Sequence, residues 1–303
     1  MDQANRTSLG ILMMVGFAIL APVMDACAKL IGDGLAVGQI VTTRFIFQTA
    51  ILLPIATYYG WLHRPTKHET SLHLARAVLI IIATSFFFTA LRYMPIADAI
   101  SIFFVEPFIL TLLGAWLLGE QIGPRRYIAC IIGFAGALLI IQPRFIDIGF
   151  AAFLPLVTAM CFAFYLILTR QMATRMHPIT LQAYTGIAAL IIALPLLWGF
   201  DGSGFSPLDP SWPDQHELWL LVILGLIATM SHVFISFALS LAPASLIAPI
   251  QYLEIVSATI LGYYIFNDLP DRMTFLGIFL IVGSGLFVFL RERHMERRPT
   301  PAP

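Results

Sequence analysis

Residues 90–120, ALRYMPIADAISIFFVEPFILTLLGAWLLGE, and residues 238–268, ALSLAPASLIAPIQYLEIVSATILGYYIFND, are two versions of one pattern. A shift of 148 residues aligns them without a gap and places Glu106 on Glu254. The same shift matches Pro95 with Pro243 and Glu120 with Asp268. A shift of 141 residues carries the match towards the N-terminus, where Leu53-Pro54 falls on Leu194-Pro195. In a chain this poor in charge, two matches of acid on acid indicate an internal duplication.

The composition is that of a membrane protein. Of the 303 residues, 59% are hydrophobic and only 11% are charged, and the mean hydropathy is +0.88. A soluble domain carries roughly 25% charged residues, so most of this surface must face a lipid bilayer. The net charge is zero and the basic residues are scattered, so we expect no nucleic-acid partner.

Hydropathy predicts ten transmembrane helices of about 20 residues each. They cover residues 9–31, 38–60, 72–93, 96–118, 125–142, 150–172, 178–199, 217–240, 244–266 and 272–290. The duplication assigns five of them to residues 1–145 and five to residues 146–303. Because five is an odd number, the second half must enter the membrane in the opposite direction. The sequence therefore predicts an all-α integral membrane protein made of two inverted five-helix repeats.

The distribution of Lys and Arg predicts that both termini are cytoplasmic. In that orientation twelve of the seventeen basic residues lie in cytoplasmic segments or at cytoplasmic span ends, Arg76 among them. Four lie on the opposite side, and Arg44 lies inside the second span. An excess of this kind marks the cytoplasmic side. The longest connection, residues 200–216, is rich in Gly, Pro, Ser and Asp and is expected to be a turn-rich loop.

The sequence resembles the EamA-type members of the drug/metabolite transporter superfamily. The resemblance rests on Glu106-Pro107 and Gly119-Glu120 in the first half and on Glu254 in the second. Glycines follow in both halves at Gly133, Gly136, Gly277, Gly283 and Gly285. The second half departs at Asn267-Asp268, where the family usually has Gly-Glu. The resemblance implies ten helices, with spans 1–4 and 6–9 around a central cavity and spans 5 and 10 at the periphery.

The resemblance also implies a function. Its members move amino acids, nucleotide-like metabolites, vitamins such as riboflavin, or drugs, as importers or exporters. We therefore expect a secondary transporter for a small organic solute in the bacterial inner membrane, with a multidrug or metabolite exporter of the same fold as the alternative. A channel is less compatible with the inverted repeat. No catalytic motif, phosphate-binding loop, metal site or cofactor site is recognisable, so we do not expect an enzyme.

Two glutamates are the leading candidates for the site. Glu106 is the eleventh residue of the fourth span, and Glu254 is the eleventh residue of the ninth. A charge at that depth costs roughly 2.5–3.5 kcal/mol. We expect the pair to hold a proton near neutral pH, and either to bind a cationic substrate or to exchange a proton for it. The other interpretation is that each glutamate hydrogen-bonds a neighbouring helix.

Three further charged residues lie within or near the first two spans. Asp25 follows Pro22, which can open the backbone of the helix, and is a candidate substrate contact. Lys29 is one turn further along, so a local ion pair with Asp25 is equally compatible with the spacing. Arg44 either grips a substrate carboxylate or phosphate, or neutralises Glu106 or Asp25.

The remaining candidates are polar or aromatic. His232 is a candidate proton relay and Gln251, on the helix face of Glu254, a candidate substrate contact. Phe86 and Tyr165 are candidate aromatic walls of the cavity, although phenylalanine also commonly faces lipid. The glycines of the fifth and tenth spans favour close helix packing and are compatible with a homodimer.

Overall fold

The computed structural model describes residues 3–118, 124–173, 175–242 and 250–296, and every regular element within these ranges is helical. The first six helices are α1 (Gln3–Ile31), α2 (Val37–Tyr58), α3 (Lys67–Leu91), α4 (Ile96–Phe103), α5 (Glu106–Leu118) and α6 (Pro124–Ile148). The others are α7 (Leu154–Ala173), α8 (Pro178–Phe200), α9 (Gln215–Leu241), α10 (Leu253–Phe266) and α11 (Arg272–Glu296). Glu120 and residues 244–249 lie outside the described residues.

The helices suit a bilayer in length and in surface. Seven stretches of the described residues are long and apolar enough to cross a membrane, and three shorter apolar helices accompany them. Trp198 and Phe279 are 84% and 72% exposed, as side chains that face lipid tails can be. The chain is thus a multi-pass membrane protein, and the number of ten spans stays a prediction.

The connections at the helix ends follow ordinary capping chemistry. Thr66 with Glu69, and Asp214 with Glu217, form reciprocal capping boxes at the starts of α3 and α9. The loop before α9 is turn-rich as predicted, because the carboxylate of Asp209 accepts hydrogen bonds from the N–H groups of two glycines with positive φ. These glycines are Gly202 and Gly204.

The helices of the two halves pack against each other in a regular way. α1 packs along α9 and α3 along α7, while α2 packs on α8, α4 on α10 and α6 on α11. We call the side at which α1 begins the N-terminal face, and the side at which it ends the opposite face. α1 also contacts α3, and α7 also contacts α9, so these four helices form the centre of the bundle.

The predicted fourth span is not one continuous helix, which corrects the sequence interpretation. α4 ends at Phe103, residues Phe104 and Val105 form a turn, and α5 begins at Glu106. Pro107 has no N–H group, so it cannot donate to the carbonyl of Phe103 one turn earlier. The interruption therefore lies where the sequence removes a helix hydrogen bond.

The α6–α11 contact depends on two glycines. A Cβ at Gly277 would lie 2.6 Å from the carbonyl oxygen of Gly136 and 2.5 Å from Cγ1 of Ile140. Backbone atoms cannot move aside as a flexible side chain can. The predicted packing role of Gly136 and Gly277 is thus visible at this contact.

Substitution of Gly277 should separate these helices. We expect Gly277→Leu to lower the free energy of unfolding by about 1–3 kcal/mol, as overpacking usually does, and to lower the thermal unfolding midpoint of the purified protein. Gly283→Leu is the matched control, because it lies on the same helix and a Cβ there meets nothing within 4 Å. Equal midpoints for the two variants would contradict the packing role.

Candidate substrate cavity

A small cavity lies inside the helix bundle, between the first and second halves of the chain. Its volume is about 70 Å³, below the roughly 300–1,000 Å³ of typical ligand pockets. Five phenylalanines form much of its apolar wall: Phe17, Phe87, Phe88, Phe103 and Phe162. Its polar wall includes Asp25, Arg44, Thr84, His232 and Glu254. We refer to this space as the central cavity.

Arg44 projects from α2 into the polar wall and is 1% exposed. One terminal nitrogen donates to Oγ1 of Thr84 at 2.6 Å, and the other lies 2.7 Å from Nε2 of His232. A shift of 148 residues places Thr84 on His232. The guanidinium fork therefore joins two positions, on α3 and α9, that correspond in the predicted repeat.

The contacts of His232 assign its tautomer. A guanidinium only donates hydrogen bonds, so Nε2 of His232 must accept from Arg44. Nδ1 then carries the hydrogen and donates to the carbonyl oxygen of Ala228 at 3.1 Å. The imidazole is neutral in this arrangement, and proton transfer through Nε2 requires that Arg44 first move away.

Asp25 and Glu254 line the cavity as buried acidic residues. They are 3% and 5% exposed, and Oδ1 of Asp25 and Oε2 of Glu254 have no hydrogen-bond partner among the residues that the structure describes. The charge of Asp25 interacts with that of Arg44, and the charge of Glu254 interacts with those of Asp25 and Glu106. Because α1 is helical on both sides of Pro22, the predicted opening of its backbone is not observed.

The two predicted glutamates occupy similar positions at the starts of short helices. Glu106 is the first residue of α5, and Glu254 is the second residue of α10. Tyr252, just before α10, lies near Glu106. The N-terminus of a helix carries a partial positive charge that stabilises a nearby carboxylate. Backbone dipoles are thus directed at both acidic groups inside the bilayer.

Several predicted site residues lie away from the cavity wall. Glu106 is 2% exposed and Gln251 is 8% exposed, and neither is part of the lining. Tyr165 is buried behind the cavity, where it stacks on the lining residue Phe162. Phe86 is 37% exposed on the outer surface, so its predicted place in the wall is wrong. Its neighbours on α3, Phe87 and Phe88, take that place because successive helix residues point about 100° apart.

A second buried arginine was assigned to a span end by the sequence and is instead fully buried. Arg76 on α3 is 0% exposed. Its guanidinium donates to the hydroxyls of Tyr165, Thr169 and Thr185 and to the carbonyl oxygen of Leu181, all in the second half. Among the residues that the structure describes, no carboxylate forms an ion pair with it. Arg76 therefore joins the halves through neutral groups.

A glutamine pair continues this polar region towards the cavity. Nε2 of Gln48 donates to the carbonyl oxygen of Gln182 at 2.8 Å, and Nε2 of Gln182 donates to Oγ of Ser236 at 2.7 Å. Nε2 of Gln182 also lies within 3.3 Å of the Tyr165 hydroxyl. The sequence analysis did not single out these glutamines, although amides within apolar spans are themselves a signal of internal contacts.

Ion pairs join the two halves at the opposite face. Nζ of Lys29 lies 3.1 Å from Oδ2 of Asp268, so the alternative of a local pair with Asp25 is wrong. Arg144 pairs with Asp98 and lies 4.0 Å from Asp271. The N–H of Thr274 donates to Asp271 and, with Arg144, holds the pKa of that carboxyl below its usual value. We call the Lys29–Asp268 and Arg144–Asp271 pairs the opposite-face clamp.

Comparison with known proteins places this fold in a family. The model of the EamA-like transporter family matches residues 8–142 and again residues 149–290. The chain belongs to the EamA-like transporter family. As a member of this family it is a transporter of the drug/metabolite type, and neither the family nor the relatives indicate a catalytic function.

Curated relatives of this EamA protein carry transporter names. An S-adenosylmethionine uptake transporter of Rickettsia prowazekii is 26% identical and covers 97% of both chains. A riboflavin transporter of Vibrio cholerae is 26% identical over 94% of this chain and 92% of its own. The pseudopaline exporter CntI of Pseudomonas aeruginosa is 26% identical over 90% and 93%. These names indicate a metabolite transporter, with different substrates and directions among relatives.

A solved structure described as "Crystal structure of protein" shares the fold. It aligns with a TM-score of 0.61 over 97% of this chain and 100% of that chain, at 18% identity. The likeness concerns the fold alone.

Proposed function

We propose that this EamA protein is a secondary transporter that moves a small organic metabolite across the bacterial inner membrane by alternating access. The observation that carries the proposal is the central cavity, where Asp25, Arg44 and Glu254 meet an aromatic wall between the two halves. Ionisable groups buried in a bilayer are costly and usually mark a transport pathway. The N- and C-termini are proposed to be cytoplasmic.

The helix contacts support the proposed inverted repeat, which suits this mechanism. A two-fold relation between the halves should exchange the α1–α9 contact with the α7–α3 contact, and both contacts are present. It should also pair equivalent helices with each other, as α2 pairs with α8 and α6 with α11. The two separate family matches support boundaries near residues 145 and 146. Two similar halves can close over one central site from either side.

The small volume of the central cavity fits an intermediate state of such a cycle. A volume of about 70 Å³ holds a few water molecules and no metabolite of the size that the relatives' names specify. Arg76 joins the halves towards the N-terminal face, and the opposite-face clamp joins them at the other end. Each connection must break in turn for the cavity to open alternately to the two sides.

Glu106 and Glu254 are proposed to couple transport to protons. Their charges repel each other, and the charge of Asp25 adds to that repulsion at Glu254. Protonation relieves the repulsion, and so does a bound cation. A substrate cation and a proton can therefore alternate at the same carboxylates.

The relatives suggest which solutes to test. S-adenosylmethionine carries a positive charge and a planar base, and these match the carboxylates and phenylalanines of the cavity. Riboflavin is the second candidate, because it offers a planar ring for the same aromatic wall. Export of a metabolite or drug through the same residues remains the alternative, because the gradients of solute and protons across the membrane set the direction of transport.

The test is uptake of labelled solutes into proteoliposomes, with and without an imposed pH gradient. The panel contains S-adenosylmethionine, riboflavin, aromatic amino acids and cationic drugs. We expect saturable uptake of one class, stimulated by the gradient. Non-saturable flux of several classes at equal rates would contradict a carrier and favour a channel.

The opposite-face clamp gives a separate prediction. Asp268→Asn removes the Lys29 ion pair and should favour conformations open at the opposite face. Labelling of a cysteine introduced at Thr84 by an impermeant thiol reagent added from that side should then become faster. Asp33→Asn is the matched control, since Asp33 pairs with Arg92 at 3.3 Å on the same face but within the first half. Equal labelling rates would exclude a gating role for the clamp.

A further inference from the structure

Three buried polar atoms in the central cavity lack hydrogen-bond partners among the described residues. They are Oδ1 of Asp25, Oε2 of Glu254 and Nε of Arg44. All three residues line the cavity. Buried polar groups in native proteins are nearly always paired, so a cluster of unpaired ones at a cavity is evidence for a ligand.

These atoms offer two kinds of binding group. The carboxylate oxygens accept hydrogen bonds, and the guanidinium Nε–H donates one. An ammonium group donates three hydrogen bonds and suits the two carboxylates. A carboxylate accepts and suits Arg44. A ligand that carries both an ammonium and a carboxylate group offers a partner to each kind of binding group.

Among the described residues, no carboxylate forms an ion pair with Arg44. Its two terminal nitrogens bind Thr84 and His232, which are both neutral. Asp25 interacts with Arg44 through its charge, yet no ion pair joins the two among the described residues. Arg44 is thus held by neutral groups while its Nε stays available.

The aromatic wall lies next to this cluster. Phe103 contacts Phe87 and Phe162 with ring centroids 6.0 and 5.4 Å apart, in edge-to-face geometry. Such a surface accepts a planar ring or a cation over its faces. The cluster combines two acidic residues, Asp25 and Glu254, with one basic residue, Arg44. It therefore suits a zwitterion whose remaining group is planar or cationic.

We propose that the central cavity recognises an α-amino-acid zwitterion, with its carboxylate at Arg44, its ammonium between Asp25 and Glu254, and a bulky planar or cationic group against the phenylalanines. This inference rests on the proposed transport function and narrows its substrate class. S-adenosylmethionine has all of these groups. Riboflavin has no amino-acid end, so this site should bind it more weakly than S-adenosylmethionine.

The test is a competition assay on the purified full-length protein in lipid nanodiscs with labelled S-adenosylmethionine. Unlabelled competitors lack defined groups of this molecule. S-adenosylhomocysteine lacks the sulfonium charge, decarboxylated S-adenosylmethionine lacks the carboxylate, and methylthioadenosine lacks both the amino-acid end and the sulfonium charge, so S-adenosylhomocysteine is its reference. We expect decarboxylated S-adenosylmethionine and riboflavin to compete at least about tenfold more weakly than S-adenosylmethionine, and methylthioadenosine at least about tenfold more weakly than S-adenosylhomocysteine.

Variants assign the groups to residues. In Arg44→Gln the preference for S-adenosylmethionine over its decarboxylated analogue should disappear, whereas Asp25→Asn should retain it and bind both more weakly. Thr259→Val is the matched control, because Thr259 lies on the same helix as Glu254 but outside the cavity lining, and its hydroxyl donates to the carbonyl oxygen of Ile255 in that helix. If Arg44→Gln fails to fold, the competitor series on the wild-type protein still tests whether the cavity recognises an α-amino-acid zwitterion.

The outcomes separate this inference from the transport function. Equal competition by methylthioadenosine or riboflavin would overturn the zwitterion site and leave a transporter. The zwitterion site would also be overturned if the protein transported another solute but bound no zwitterion. Absence of saturable transport for the whole uptake panel would instead contradict the proposed function.

Discussion

Arg44→Gln is expected to reduce uptake by roughly 10- to 150-fold, the equivalent of the about 1.5–3 kcal/mol that a hydrogen bond to a charged group contributes. The substitution removes the positive charge that faces Asp25 in the cavity. It also takes the donors away from Thr84 and His232. A glutamine side chain is shorter and cannot reach both of these partners.

Arg44→Lys separates the effect of charge from the effect of geometry. Lysine keeps the charge but lacks the planar fork that joins α3 to α9. We expect uptake between those of the wild type and Arg44→Gln, measured as initial rates over a range of substrate concentrations. Wild-type rates in Arg44→Gln, in a correctly folded protein, would show that Arg44 has no part in transport.

Glu254→Gln is expected to abolish the stimulation of uptake by an imposed pH gradient. Glutamine has nearly the same shape as glutamate but takes up no proton, and it removes the repulsion with Asp25 and Glu106. Net uptake should fall by roughly tenfold or more, in line with the loss of a charge-assisted hydrogen bond to a cationic substrate. Glu106→Gln should weaken the pH response as well, although Glu106 does not line the cavity.

The control for these variants is Asp201→Asn. Asp201 is exposed at the end of α8 and should leave both the rate and the pH response unchanged. Uptake by Glu254→Gln that keeps the full response to the gradient would contradict proton coupling through this residue. Glu254 would then be a packing residue, as the other sequence interpretation has it.

Much of the fold can be predicted from the hydropathy and the internal duplication of the sequence. Hydropathy locates α1, α2, α8 and α9 within a few residues of the predicted spans, because a bilayer demands long apolar helices. The duplication singles out Glu106 and Glu254, since an acid that recurs in an apolar chain is conspicuous. Asp25, Arg44 and His232 are likewise polar residues within apolar spans, and the structure brings all three to one cavity.

Other features depend on contacts between distant residues. Lys29 is spaced to meet Asp25 on one helix, yet it binds Asp268 because α10 ends beside α1 at the opposite face. Arg76 lies near the start of a span, where basic residues usually reach water, yet hydroxyls of α7 and α8 enclose it. The break before Glu106 had a local signal in Pro107. The errors at Lys29 and Arg76 arise where tertiary packing overrides a local pattern.

Counterflow tests the central claim most directly. Proteoliposomes loaded with unlabelled S-adenosylmethionine are diluted into a trace of the labelled compound, and the internal label is followed over time. A carrier that exposes the Asp25–Arg44–Glu254 site alternately to the two sides must accumulate the label transiently above its equilibrium level. We predict this overshoot for the wild type and its loss in Arg44→Gln. A monotonic approach to equilibrium in the wild type, at a rate proportional to concentration, would contradict an alternating site for this solute.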